Sequence, residues 1–302
     1  MANFTADAPY DKLLTGHKIS KGGEHLTGDQ LNTFREWFKK YVAGCYCNNP
    51  RHEAWIRLKE NHTFRVYEKI IRIGQSLNLA GEDISLAGAI GLFHDVGRFR
   101  QIERYSTFND SKSENHAALG IKVIEEAGVL LNLPEMDQHL IKKAIELHNL
   151  RDLPEDLPDR CLLFARLIRD ADKLDILEVF TRYYTVKDND YSSALDSYLP
   201  DTPGYSSVLI NNILNGERCN YSDIKNRNDR KLLNLSWVYD INFTYTLSEI
   251  VKNEYIEKII GTLPETDDIN AIYKNIRAYT KERLIASSQE ADCIIHGSGI
   301  GN

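Results

Sequence analysis

The sequence predicts an all-α protein, a helical bundle with additional N- and C-terminal helices packed on it. Three observations carry that expectation. Apolar residues recur at three- and four-residue intervals through most of the chain. Capping residues and Pro or Gly stops bracket those stretches. No pair of short alternating segments joined by a tight turn stands out as a hairpin.

Taken in order, Thr27 and Gln30 form a capping-box pattern that opens a helix carrying Leu31, Phe34, Phe38 and Tyr41. A second helix sets Trp55, Leu58, His62, Val66, Ile70, Ile73 and Leu77 on one stripe. Asp83 is the expected cap of a third, through SLAGAIGLFHD, whose small residues permit close packing. Ser113 is the expected cap of a fourth that stops at Gly128, and Pro134 suits the first turn of a fifth running to His148. Asp159 is the expected cap of a long sixth helix through CLLFARLIRDADKLDILEVF. Residues 185–204 are polar, contain Pro200 and Pro203, and read as a loop or lid. Helical patterns return over 206–214, 229–239, 243–260 and 268–285, and the tail ending in GSGIGN reads as mobile. The chain thus divides into an N-terminal segment and helix (1–50), a chemical core (51–184) and a C-terminal helical region (185–302), the flanking parts packing on the core and not folding as independent domains.

The 302 residues suffice for one large domain or two modest ones. Acidic residues outnumber basic ones, 44 to 37, for a net charge of -7, which argues against a binder of long nucleic acid. It does not exclude a nucleotide, since a metal or a few arginines can hold phosphate locally. No apolar run approaches the roughly 20 residues that span a bilayer. The opening MANFTADAPYDKLL lacks the basic head and apolar middle of a signal peptide, so the expected location is the cytoplasm, away from membranes. Cys45 and Cys47 have no second cysteine pair nearby to complete a zinc site and read as free thiols.

Of the nine histidines, His17, His25, His52, His139 and His296 have polar surroundings and read as solvated. The other four do not. His62 lies on an apolar stripe, where an unsatisfied imidazole is costly. His94 and Asp95 end the apolar run 89–93, His116 lies in the first turn of its helix, and His148 ends a helix with Ile141 and Ala144 on its inner face. Asp172 shares a stripe with Cys161, Ala165 and Ile168. Imidazoles and carboxylates gathered on the inner faces of successive helices suit divalent metals.

His62 in ENHTFRVYE, the doublet in LFHDVGRF and Asp172 in RDADKLD together resemble the H…HD…D signature of the HD superfamily of phosphohydrolases, over about residues 51–179. The stretch GRFRQIERYSTFNDSKSENHAALG further resembles a bacterial subgroup of HD domain proteins. The resemblance does not reach the C-terminal third. It implies an HD-domain helical bundle in which His62, His94, Asp95 and Asp172 bind a first metal. Asp172 is favoured over Asp170 because Ala171-Asp172-Lys173 fits the family's Ala-Asp pair with a following basic residue. Asp170 and Asp175 are then surface acids or acids supporting the ligands. His116 and His148 resemble the extra histidines of two-metal members, among them cyclic-dinucleotide phosphodiesterases, although the GYP motif of those enzymes is missing here.

The implied cofactor is a pair of divalent ions, Fe, Mn or similar, with Mg, Ni, Co and Zn as further candidates, bridged by Asp95. The implied chemistry is attack of a metal-activated hydroxide on phosphorus. Arg98, Arg100, Arg104, Lys112 and Lys173 are the candidate phosphate contacts. Lys173 and Arg98, nearest in sequence to ligands, stand with Asp95 as the candidate catalytic set. The polar stretch 97–113, with Thr107, Asn109 and Asp110, reads as a substrate-binding loop. The expected activity is hydrolysis of a small phosphorylated substrate, a nucleotide or another phosphate ester or anhydride. The alternatives are a phosphodiesterase acting on a cyclic nucleotide and a non-catalytic nucleotide-sensing module, the latter disfavoured by the full ligand set. A homo-oligomer stays open, because Trp237, Tyr239 and Phe243 suit a dimer face as well as a core.

Overall fold

The computed structural model describes residues 25–186 and 199–297, the side chains of 288 and 290–297 excepted. Among the described residues there is no strand. Helix α1 spans Gly28–Cys45, α2 Pro50–Ser76, α3 Gly81–Phe93, α4 Val96–Tyr105, α5 His116–Ala127, α6 Glu135–Leu147 and α7 Asp159–Val186. After the undescribed stretch come α8 (Ser207–Leu214), α9 (Arg227–Ser236), α10 (Thr244–Lys252), α11 (Tyr255–Ile260) and α12 (Asp267–Gly297). No described helix is long and apolar enough to cross a membrane.

Local chemistry sets the helix starts. Thr27 and Gln30 close the expected capping box, Gln30 N donating to Thr27 Oγ1 at 3.3 Å and Thr27 N to Gln30 Oε1 at 2.9 Å. Asn49 caps α2, with Pro50 in the first turn, where the missing N–H costs nothing. Two expected caps are replaced. Helix α3 begins ahead of Asp83, at Gly81, without a side-chain cap, and Asp83 instead pairs with Arg160 at 2.7 Å. Helix α5 is capped by Asn115, whose Oδ1 accepts from Ala118 N, while Ser113 ends a preceding 3-10 turn. Asp159 is the first residue of α7, and Pro134 precedes α6 by one position.

The stretch 97–113, expected to be a loop, is largely the helix α4. Val96, Phe99 and Ile102 are buried at three-residue spacing. The charged Arg98 and Arg100 among them, and Glu103 and Arg104 just after, hid that face in the sequence. The true loop is 106–115, entered through Ser106 in the left-handed region at φ 50°. The expected helix 243–260 is also broken, at Glu254 (φ 55°), into α10 and α11. Segment 229–239 becomes α9 followed by a 3-10 turn, Trp237–Asp240. The lid assignment for 185–204 falls mostly on 187–198, outside the described residues, as do His17, the His296 side chain and the tail beyond Gly297.

Two apolar cores share α7. Phe164, Leu167, Ile168 and Ala171, on its first half, pack with α1 to α6. Leu174 and Leu177, one turn on, pack instead with α8 to α12. Trp237, Tyr239 and Phe243 serve these interiors. Trp237 and Phe243 are buried, and the Tyr239 hydroxyl donates to Ile213 O at 2.9 Å. Asp170, fully buried, fastens the second layer to the first by accepting from the backbone N–H of Asn242 (3.0 Å) and of Phe243 (3.0 Å).

Helices α4 and α5 meet main chain to main chain. A Cβ on Gly97 would sit 2.1 Å from His116 O and 2.4 Å from Gly120 N. Those atoms cannot swing aside as a side chain would, so only glycine allows Asp95 and His116 to approach. Gly97→Ala is therefore expected to destabilise the fold by about 1–3 kcal/mol through forced backbone shifts, read as a lowered urea midpoint at unchanged m.

Candidate metal centre

Each of the four inward histidines sits where a helix delivers it. His62 is midway along α2, His94 just past the end of α3, His116 at the start of α5 and His148 just past the end of α6. Asp95 follows His94, and Asp172 faces inward from α7. His62, His94, Asp95, His116 and His148 are all buried. The site predicted from sequence is thus assembled from five helices.

Every imidazole has its Nδ1 occupied by an oxygen acceptor. His62 Nδ1 donates to Asp175 Oδ2 at 2.8 Å, His94 Nδ1 to Gly91 O at 2.9 Å, His116 Nδ1 to Asp110 Oδ2 at 2.6 Å and His148 Nδ1 to Ile145 O at 2.6 Å. Such bonds fix the tautomer and leave each Nε2 lone pair pointing inward. The Nε2 atoms then face one another, His62 to His94 at 3.3 Å and His116 to His148 at 3.0 Å. Two lone pairs at that distance do not bond. They need a proton or a cation between them, and four such imidazoles beside carboxylates form a donor set that fits divalent metal.

Asp95 divides the cluster. Its Oδ2 lies 3.5 Å from His62 Nε2 and 3.6 Å from His94 Nε2, while Oδ1 lies 3.4 Å from His116 Nε2 and 3.9 Å from His148 Nε2. Asp172 Oδ1 is 3.1 Å from His62 Nε2 and joins the first pair. Two groups of potential ligands result, His62, His94 and Asp172 on one side and Asp95, His116 and His148 on the other.

The electrostatics favour positive charge at one half. Burial and Lys59 both oppose a charged His62, but Asp172, Asp175 and Asp95, accepting hydrogen bonds from it, outweigh them and raise its pKa to about 10, so a cation binding at its Nε2 would take the place of a proton. In the other half, burial and the neighbouring imidazoles His116 and His94 push His148 down to about 3, leaving a neutral donor. Burial also lowers His94 and His116. Asp95 is drawn well below the usual carboxylate range. Burial works against that shift and is overcome by Lys59, His94, His62 and Arg98.

Of the supporting residues, the sequence left Asp175 open to such a role but gave no place to Lys59, Arg65 or Lys69. Asp175 is fully buried, orients His62 and is itself held by Arg65 (2.7 Å) and Lys69 (3.1 Å). Lys59 Nζ reaches Asp95 Oδ2 at 2.5 Å. Lys59, His62, Arg65 and Lys69 recur at three- and four-residue spacing on α2, a periodic signal that a reading for apolar residues passes over. Asp110, which was placed in the expected substrate loop, supports His116. If each half holds an ion, Asp175→Asn is expected to lower metal affinity at the His62 half by about 10–100-fold, and Asp110→Asn to do the same at the His116 half. Equilibrium dialysis with Mn(II) or Co(II) on each variant checks this, the expected signature being loss of one class of sites and retention of the other.

Of the candidate phosphate contacts, the structure brings Arg98 to the site. Its Nε lies 3.4 Å from Asp95 Oδ1, and its Nη1 donates to Phe108 O, Gln101 Oε1 and Asp110 Oδ1. The others are elsewhere. Arg100 pairs with Glu126 at 2.7 Å, and Arg104 and Lys112 are exposed. Lys173 turns to the C-terminal layer and pairs with Asp240 at 2.8 Å. Alongside the ligand cluster a cavity of about 180 Å³ is lined by His62, Lys59, Arg65 and Arg98 from the first layer and by Tyr221, Arg230 and Trp237 from the second.

A family model for the HD domain matches residues 60–177, a span that holds the whole ligand cluster. No curated protein and no solved structure gives a significant match to the chain.

Proposed function

From the HD domain that residues 60–177 form, we propose that this chain is a metal-dependent phosphohydrolase with a dinuclear centre, acting on a nucleotide or similar phosphate ester or anhydride. The observation that carries this reading is the split of Asp95, one carboxylate oxygen toward the His62–His94 pair and the other toward His116–His148. A carboxylate so placed would serve both halves, His62, His94 and Asp172 being the residues that would hold one ion and His116 and His148, with Asp95, those that would hold the other. A divalent cation held there would lower the pKa of bound water to roughly 7 and draw charge from a phosphoryl oxygen.

The protein's own groups do the rest. Four Nδ1–H bonds keep the imidazoles in the tautomer and orientation that ligation needs. Arg98, anchored by Gln101, Phe108 and Asp110, holds a fixed positive charge beside Asp95, ready to steady a phosphoryl oxygen without reorganising. Lys59 brings a second cation to the cavity wall. Phe108, Phe180, Tyr221 and Trp237 add aromatic surface to that cavity, which supports a substrate with a planar base.

Protein purified without chelator is expected to carry two divalent ions per chain by elemental analysis. It is also expected to hydrolyse at least one member of a panel of p-nitrophenyl phosphate, bis(p-nitrophenyl) phosphate and nucleotides assayed with Mn, Fe, Co, Ni or Mg. Chelation should stop the reaction and metal should restore it. A single fully occupied ion counts against the dinuclear reading, and inertness toward the whole panel with both ions present counts against the enzymatic one.

A further inference from the structure

On the reading of the site as a phosphohydrolase centre, a substrate must extend from the ligand cluster into the adjoining cavity. Part of that cavity's wall, Tyr221, Arg230 and Trp237, comes from the C-terminal layer, outside the HD domain. Four cationic side chains line it, and three are already matched. Lys59 is paired with Asp95, Arg65 with Asp175 and Arg98 with Asp110. Arg230 is different. Among the described residues it has no carboxylate partner, and its Nε is buried without a hydrogen-bond acceptor. The neighbouring acid, Asp229, is consumed by Ser206 N and Oγ and by Lys225 N.

What holds Arg230 is a pair of rings. Its guanidinium carbon lies 5.6 Å from the centroid of Phe180 and 5.2 Å from that of Tyr221. Contacts with ring faces satisfy the guanidinium's flat sides and leave its N–H donors, which lie in its plane, unspent. A half-buried cation with free planar donors, beside a centre built to hold phosphoryl oxygens, fits a second anion of the same ligand, and a fork of N–H groups matches phosphate geometry.

We propose that Arg230 determines specificity by receiving a phosphoryl group of the substrate other than the one at the metal centre. The favoured substrates are then nucleotides with a phosphate beyond the one attacked, and the C-terminal layer, through Arg230, selects them over nucleoside monophosphates.

The test is calorimetric titration of AMP and of α,β-methylene-ADP into the metal-loaded protein, its Arg230→Met variant and its Arg230→Lys variant. Met keeps the aliphatic packing between the rings without the charge. Wild type is expected to bind the diphosphate analogue about ten- to a hundredfold tighter than AMP, the worth of charge-assisted hydrogen bonds. In Arg230→Met that ratio should fall toward one, and Arg230→Lys should restore part of it. A merely structural role would weaken both ligands alike and leave the ratio intact, which overturns the proposal, as does a wild type that binds the two equally or binds neither. Circular dichroism verifies folding of each variant, and Arg230→Lys alone serves if Arg230→Met does not fold. Hydrolysis of p-nitrophenyl phosphate, measured alongside, separates the two readings. Turnover without diphosphate preference removes only the role of Arg230, whereas preference without turnover of any ester removes only the enzymatic reading.

Discussion

Asp95→Ala is expected to lower hydrolysis by at least about 10³-fold, because metal stabilisation of phosphoryl charge is worth several kcal/mol and each 1.4 is a factor of ten. On the dinuclear reading, the same change should strip both ions, not one, since the carboxylate is the oxygen donor of the His116–His148 group among the described residues and faces the His62–His94 group as well. The helices should still form, because they are held by apolar packing of Val96, Phe99, Leu92 and Phe93, although Lys59 and Arg98 lose their buried counter-charge and the Tm falls. The pattern to look for is unchanged helical circular dichroism, absent metal by elemental analysis and absent turnover. Normal metal content with wild-type rates would end the assignment of the whole centre.

Asp240→Ala has the opposite signature, a large loss of stability with the ligand set intact. The Asp240 carboxylate binds Arg169 at 2.9 Å, Lys173 at 2.8 Å and Arg218 at 3.0 Å. Arg169 is nearly fully buried and also donates to the carbonyls of Leu150 and Arg151, and Arg218 donates to Arg151 O as well. Removing the acid leaves these cations together without a counter-charge, and breaking a buried pair by deleting one partner costs about 3–5 kcal/mol. For a chain of this size that lowers Tm by on the order of 10 °C, measurable by calorimetry.

The same group gives a pH dependence. Burial raises the Asp240 pKa, but Lys173 and Arg169 overcome it, so the folded value lies below the ordinary 3.8. The native state therefore binds fewer protons than the unfolded chain near that pH. The stabilisation is complete above 3.8 and is lost as pH falls through the folded value. Asp240→Asn should flatten this acid limb of the stability profile, read from urea midpoints below pH 4.

The ligand cluster was legible in sequence because each member breaks a local rule, a polar residue on an otherwise apolar face. His62 among Leu58 and Val66, and His94 after Phe93, stand out for that reason. Residues that obey local rules were not legible. Lys173 follows the candidate ligand Asp172 in sequence, but one residue of helix turns a side chain by about 100°, which carries its ammonium to Asp240 on the other layer. Helix α4 was hidden because its buried stripe is only Val96, Phe99 and Ile102, between charged neighbours typical of a loop. Arg230 was out of reach for another reason. Its significance lies in its meeting no carboxylate among the described residues, which is known only once Asp229 is seen to be turned toward Ser206 and Lys225.

The glycine contact between α4 and α5 acts as a hard stop. Where two helices rest on interleaved side chains, a rotamer change or a smaller residue lets the axes creep together or apart. At Gly97 and Gly120 nothing lies between the main chains to be compressed or trimmed, and close-packed interiors yield little. The gap from Asp95 to His116 is thus gauged by the radii of backbone atoms and holds steady as neighbouring residues diverge. With His116 and His148 also pinned at Nδ1 by Asp110 and Ile145, a frame of fixed calibre would favour ions of one radius over others.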